Sequence, residues 1–567
     1  MTTTGRTVTT PGGPEGGGLS EITANGRARA RALATFAGAQ PVDTELVSYN
    51  SAGHLLIIGP RDEAVRIAGR IAGPLGCTVL AEAGAGEHPG GNGVSVIPGR
   101  PSRVEGHLGR FSVTVAAGER EIPLAELAGL KGGHFDVVLD LGTPPSLRRE
   151  VLPPGYFAPE GDPERLEAAL AELPDLVGEF DKPRFFEYDP SICAHGRSGI
   201  RACTRCLDAC PTEAITSLGD LIEVDPFLCQ GGGSCATACP TGAIRYAFPG
   251  PADLIGAVRR LLRAYREAGG AQACVLFHDT GVGAELLALN AAALPGRVLP
   301  VAVEEVGAVG IDTWLATLAY GACNVRLLTP AATPGSVARE LVHQLGVARQ
   351  LLEGMGWSGD RIGLVSDGEM PGALRELEDR TEHEAGRFAA FDEKRTTVRL
   401  AMDHLWERAP KPRPSVELCA GAPFGQVTVD ASRCTLCMAC ASICPAGALL
   451  AGDDRPQLRF LEDNCVQCGL CARACPENCV APSPRYLYDS ARRKEIRVLY
   501  EEEPFCCVSC GKPFATRKMM DRMLGKLSGH WMYQTPESRR RLQMCEDCRV
   551  RDAFAEGMSG RPTGGRS

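Results

Sequence analysis

Residues 434–475 constrain this chain more than any other stretch. They read Cys434-Thr-Leu-Cys437-Met-Ala-Cys440-Ala-Ser-Ile-Cys444-Pro445 and then Cys465-Val-Gln-Cys468-Gly-Leu-Cys471-Ala-Arg-Ala-Cys475-Pro476. Both runs keep the same spacing, and a proline closes each. Three thiols this close can converge on one centre only from a tight loop. Thiols serving merely as small buried hydrophobes would have no reason to hold such a register twice. The stretch is built around something that thiolates bind.

The compartment decides between disulfides and metals. The N-terminal MTTTGRTVTTPGGPEGGGLS has no apolar signal core, so a cytoplasmic location is expected. No apolar run is long enough to span a bilayer, since Glu304-Glu305 interrupts the stretch from Val298. Cytosolic thiols stay reduced, so the 25 cysteines argue for metal ligation. A net charge of -9 offers no basic footprint, and nucleic acid is not expected as a partner. With 567 residues the chain should contain several domains, because single cores stop growing near roughly 250–300 residues.

The two runs resemble a bacterial two-cluster ferredoxin at all eight ligand positions. In that pattern the fourth cysteine of each run serves the other cluster. The resemblance therefore implies one [4Fe–4S] centre on Cys434, Cys437, Cys440 and Cys475. A second would sit on Cys465, Cys468, Cys471 and Cys444.

A degenerate copy lies upstream. It contains Cys193, then Cys203-Thr-Arg-Cys206-Leu-Asp-Ala-Cys210-Pro211, then Cys229 and Cys235-Ala-Thr-Ala-Cys239-Pro240. Thr212-Glu213-Ala214-Ile215 and Thr241-Gly242-Ala243-Ile244 follow the two prolines, which marks an internal repeat. Two ligand positions are lost, to Ile200 and Gly232. Cys193 can replace the first if the intervening loop folds back, which Gly196 and Gly199 permit. One site then has Cys193, Cys203, Cys206 and Cys239. The other has only Cys210, Cys229 and Cys235, suited to a [3Fe–4S] centre or an incomplete [4Fe–4S] centre, with His195 as a stand-in ligand to be tested.

Two segments alternate strands with helices. In residues 39–150, strands are expected at 54–58, 77–80, 111–115 and 135–139, with a helix at 63–72. The turn Gly59-Pro60-Arg61-Asp62-Glu63 lacks a dinucleotide fingerprint, so a structural role is expected. In residues 251–370, strands are expected at 273–277, 298–303, 325–328 and 362–365. There Val303-Glu304-Glu305-Val306-Gly307-Ala308-Val309-Gly310 and Leu318-Ala319-Tyr320-Gly321-Ala322 resemble the delta subunit of methyl-viologen-reducing hydrogenase. That family implies electron relay through a [2Fe–2S] centre, but only Cys274 and Cys323 are present, so a docking domain without a cluster is expected.

The C-terminal region carries Cys507-Val-Ser-Cys510 and Cys545-Glu-Asp-Cys548. Four thiolates in two such knuckles suit structural Zn, with iron the alternative. Cys506 could replace Cys507, though the spacing favours Cys507.

The expected architecture is a multidomain α/β and α+β chain. It has two bacterial-type 2[4Fe–4S] ferredoxin modules (186–250, degenerate; 416–488, intact), two Rossmann-like α/β domains and a zinc-ribbon-like module (489–567). A disordered tail (1–38), a linker (151–185) and a helical spacer (371–415) complete it. Three [4Fe–4S] clusters, a fourth incomplete one and Zn, with no acid–base constellation, point to electron transfer with a partner oxidoreductase subunit. The layout resembles the iron–sulfur proteins of formate dehydrogenase systems. The alternative is an assembly scaffold for a metalloenzyme.

Overall fold

A computed structural model describes residues 23–39, 44–71, 75–81, 94–118, 120–453 and 455–559. Its first sheet has five parallel strands in the order Ser95–Pro98, Gly76–Ala81, His54–Ile58, Val137–Asp140, Tyr156–Phe157. Leu55 and Ile57 face the helix Arg61–Ile71, while Leu56 and Ile58 face an antiparallel sheet made of Pro101–Glu105, Ser112–Ala117 and Arg120–Pro123. A strand covered on both faces reads as an unbroken apolar run, which is why His54–Ile58 shows no alternation.

The second sheet has four parallel strands in the order Val298–Val303, Cys274–Asp279, Asn324–Leu328, Ile362–Val365. The strand order reverses at Cys274–Asp279. The helix Ile311–Ala319 is buried along its whole length between helices Pro251–Glu267 and Lys394–Glu407. A helix buried on every side has no solvent face to offer. Burying each of its leucines, Leu315 and Leu318, contributes roughly 1.5–3 kcal/mol. Cys274 and Cys323 are buried core residues here. His278 bonds the Asp279 carbonyl, and the Asp279 carboxylate accepts from the amides of Gly281 and Gly283, so this pair shapes a loop.

Four expectations need correction. The tail expected to be disordered over 1–38 contains the helix Ala24–Ala34, capped by Thr23. Its small residues Gly26, Ala28 and Ala32 allow close approach to Pro251–Glu267, and Arg29 donates to the carbonyl of Pro295. Residues 1–22 lie outside the described residues. The expected linker, 151–185, completes the N-terminal domain: Tyr156–Phe157 joins its sheet, and Gly178–Pro183 pairs antiparallel with Leu46–Ser51. The expected helical spacer is helical only at Met370–Arg375 and Lys394–Glu407. Between them the chain lies extended on the second α/β domain, with the Gln272 amide and the Arg380 backbone bonded in both directions. Finally, Ile496–Glu501, expected in the C-terminal module, forms the third strand of a ferredoxin sheet with Gln457–Leu461 and Leu449–Ala451. Among the described residues no helix is long and apolar enough to cross a membrane.

Candidate metal centres

The downstream loops take their shape from paired left-handed residues. Leu436 and Met438 flank Cys437, and Gln467 and Gly469 flank Cys468, all at positive φ. This winding turns the cysteines inward. Cys434, Cys437, Cys440 and Cys475 line one cavity, and Cys444, Cys465, Cys468 and Cys471 line a second. Amide donors are aimed at the sulfurs: Leu436 N at Cys434 Sγ (3.4 Å), Ala448 N at Cys444 Sγ (3.3 Å) and the Gln467 side chain at Cys465 Sγ (3.2 Å). Such donors favour the ionised sulfur. Burial works against them. It pushes Cys440 and Cys471 up to about 12, with the neighbouring thiols adding to the effect. Four thiolates in one cavity therefore require a positive centre to hold them together.

Upstream, the structure brings the cysteines together in the expected groups. Burial, followed by the charges of Cys239, Cys203 and Cys193, raises the Cys206 thiol. Cys235 is raised in the same way by burial and then by Cys229 and Cys210. Cys193 arrives through a hairpin, Gly196–Arg197 against Ile200–Arg201, turned by Ser198 and Gly199 at positive φ. His195 clips this hairpin shut. Its Nδ1 meets the Cys203 carbonyl at 2.7 Å and its Nε2 meets Ser217 Oγ at 2.8 Å, so neither nitrogen is left for a metal. The stand-in ligand suggested by the sequence is thus a structural histidine.

Around the three-cysteine site the loop keeps its winding although Gly232 replaces a cysteine. Gly231 and Gly233 have φ of 80° and 68°, as Gln467 and Gly469 have 55° and 82° around Cys468. A Cβ on Gly232 would meet only Pro211 Cγ, at 3.7 Å. Its neighbours are crowded: a Cβ on Gly233 would stand 2.3 Å from Ala308 Cβ, and one on Gly307 would stand 2.4 Å from the Gly232 carbonyl. Thr237 Oγ1 donates to the Gly307 carbonyl at 2.7 Å. The glycines let the loop dock where the second α/β sheet ends and its strand order reverses.

Other residues at this site carried no sequence signal. Lys182 Nζ donates to the carbonyls of Phe227 (2.9 Å) and Cys229 (2.7 Å). Burial brings it down to about 8, against the pull of Cys229 and Asp225. The Tyr246 hydroxyl is buried without a hydrogen-bond partner among the described residues. Burial raises its phenol first, then Glu304 and Glu305, then Cys229 and Cys235. An orphaned donor and an ammonium beside three thiols fit an anionic group held there.

The two modules meet. Arg473 Nη1 donates to the Arg201 carbonyl and Arg205 Nη1 to the Gly421 carbonyl, each at 2.5 Å. The first residues of helix Lys394–Glu407 fasten both sides. Lys394 Nζ donates to the carbonyls of Ala236, Thr237 and Cys239 upstream. Arg395, buried, donates to those of Pro423, Asp463 and Cys465 downstream, and burial brings its guanidinium down to about 10. Across this boundary Cys203 stands close enough to act on Cys468, which burial first, and then Cys444, Cys465 and Cys203, push up to about 12.

At the far end, Cys507, Cys510, Cys545 and Cys548 place their sulfurs within 4.8 Å of one another. Among the described residues this is the group of three or more metal-type ligands that closes to single-ion spacing. Cys506 is exposed on the strand Pro504–Cys506, outside the group. The helix Arg517–Leu527 lies against the Cys434 loop: Thr516 Oγ1 donates to the Thr435 carbonyl (3.1 Å), Lys518 Nζ to the Ala431 carbonyl (2.7 Å), and Arg522 pairs with Glu477.

Residues 433–479 match the family model of a 4Fe-4S dicluster domain, and residues 222–245 match that of a 4Fe-4S binding domain. No curated protein matches the chain. The chain thus carries two 4Fe-4S ferredoxin-type domains in a mixed α/β structure with several sheets, consistent with iron–sulfur electron transfer.

Proposed function

We propose that the chain is an electron relay, passing single electrons between a formate dehydrogenase- or hydrogenase-like partner oxidoreductase and a second carrier in the cytoplasm. The observation that carries this reading is the succession of thiol sets. Helix Arg205–Asp208 packs on Ser234–Ala238, Leu470–Ala474 on the strand Ile200–Arg201 across the module boundary, and Ala439–Ser442 on Leu470–Ala474. The elements that carry the four sets therefore neighbour one another in succession. When bound, three [4Fe–4S] clusters and one [3Fe–4S] or incomplete [4Fe–4S] cluster would supply one-electron carriers, with potentials set by thiolate count, burial and hydrogen bonds to sulfur.

The chain's own residues do the rest. Lys394 and Arg395 hold the two central sets in register, and their positive charge offsets that of the thiolates at the boundary. The Gly231–Gly233 loop ties the incomplete set to the second α/β domain, which we read as a Rossmann-like docking domain related to the hydrogenase delta subunit. The first α/β domain, which we also read as Rossmann-like, cradles the Cys229 loop through Tyr49, whose hydroxyl donates to the Phe227 carbonyl at 2.6 Å. We assign Zn to the four C-terminal thiolates.

Iron, sulfide and zinc analysis with EPR on anaerobically purified protein tests the assignment. About sixteen irons per chain are expected for four cubanes and about fifteen with one [3Fe–4S] centre, alongside one zinc. A low-potential dye should reduce the protein reversibly, and the protein should then sustain turnover in a coupled formate or hydrogen assay. Protein that holds its iron yet exchanges no electrons with the dye would defeat the relay reading.

A further inference from the structure

Each of the four cysteine runs ends in the same turn. The third residue after the last cysteine is left-handed in every case: Glu213, Gly242, Gly447 and Asn478. In the two downstream runs the fourth residue then swings back over the sulfur. At Ala448 its amide donates to Cys444 Sγ at 3.3 Å, and at Cys479 to Cys475 Sγ at 3.5 Å. Three runs place alanine there, Ala214, Ala243 and Ala448, each at most 2% exposed. The fourth places Cys479, also buried, and its Sγ lies 3.4 Å from Cys475 Sγ. Cys479 lines the same cavity as Cys434, Cys437, Cys440 and Cys475. That cavity has five thiols where a cubane takes four.

We propose that Cys479 is a positioning residue for this one site: it stays unligated and donates its S–H to the Cys475 thiolate. A hydrogen bond to a cluster sulfur favours the more negative, reduced state, so it raises the reduction potential. The proposal rests on the reading that Cys434, Cys437, Cys440 and Cys475 hold a cluster. Iron content tests that premise separately.

The test is an EPR-monitored redox titration of the full chain. Cys479→Ala installs the residue that the other three turns already carry, so folding should survive. Its iron and sulfide content should equal the wild type's, which shows that the premise holds. The midpoint of one cluster should fall, with the reduced-to-oxidised ratio at the original midpoint dropping several-fold; a tenfold drop corresponds to 59 mV for one electron. Cys479→Ser keeps a hydroxyl donor and should titrate closer to the wild type. Ala448→Cys should raise the midpoint of the neighbouring cluster. Unchanged midpoints in Cys479→Ala overturn the proposal, as does loss of iron from that variant, which would make Cys479 a ligand.

Discussion

In the downstream module, Gln467 and Gly469 wind the chain so that Cys468 faces a cavity. In the upstream module, Gly231 and Gly233 wind it the same way around a residue with no side chain. The backbone of the loop has outlasted its middle ligand. What differs is the neighbour. The downstream loop has its Gln467 side chain donating to the Gln426 carbonyl (3.0 Å) within its own module, whereas the upstream loop is pressed against Val306–Ala308 of another domain. Packing crowds the two flanking positions, where a Cβ on Gly231 would meet Phe185 at 2.9 Å and one on Gly233 would meet Ala308 at 2.3 Å. The comparison teaches that contacts outside the module fix the flanking glycines and leave position 232 itself open.

That contrast can be broken at several strengths. The largest effect is expected from Cys465→Ala, which removes a ligand from a complete set. Iron should fall by about four per chain with loss of one cubane, and unchanged iron would mean the ligand set is misassigned. Next is Gly232→Cys, which has room for its side chain. The oxidised protein should lose a near-isotropic EPR signal and gain about one iron as a cubane forms; an unaltered spectrum would show that the open corner lies elsewhere. Third is Arg395→Met, which takes the buried guanidinium from the Pro423 and Cys465 carbonyls, while Asp463 keeps its bond from Arg399. A cost of about 3 kcal/mol is expected in urea unfolding, together with weaker magnetic coupling between the central clusters. Equal coupling would remove Arg395 from the boundary. The smallest is Thr516→Ala. Loss of a helix N-cap and of the bond to Thr435 should cost ~1 kcal/mol. Faster amide exchange should be confined to Arg517–Leu527, with zinc content unchanged.

The two 4Fe-4S ferredoxin-type domains were legible in the sequence because thiol spacing is local. Residues 298–303 and 362–365, expected as strands from their apolar runs, form strands over those same residues. The reversal of the chain between Cys193 and Cys203 could be anticipated, since two glycines there make it easy, and a hairpin forms at that place. What escaped reading depended on distant partners. Gly178–Pro183 carries no apolar alternation, and only its pairing with Leu46–Ser51, more than a hundred residues away, makes it a strand. Lys394 and Arg395 lie in the expected helical spacer and carry no signal of their own; they are drawn inward by carbonyls of loops far apart in sequence. Ile496–Glu501 alternates exposed and half-buried residues, a weak signal typical of an edge. The helix Ala24–Ala34 follows a glycine-rich stretch, and its alanine face gains meaning only against Pro251–Glu267.

The downstream module also has an aromatic underside. Phe424, Tyr486 and Tyr488 belong to the same buried cluster as Trp314 of the second α/β domain, and Tyr488 OH reaches the Leu351 carbonyl at 2.6 Å. Gly354 leaves just enough room for that hydroxyl, since a Cβ there would stand 2.2 Å from it. Regions that share a core open and close as one cooperative unit. The metal-bearing half therefore cannot be cut out and studied alone without stripping an oily face bare. Heat or denaturant should release iron from residues 434–475 only when the second α/β sheet beside them gives way.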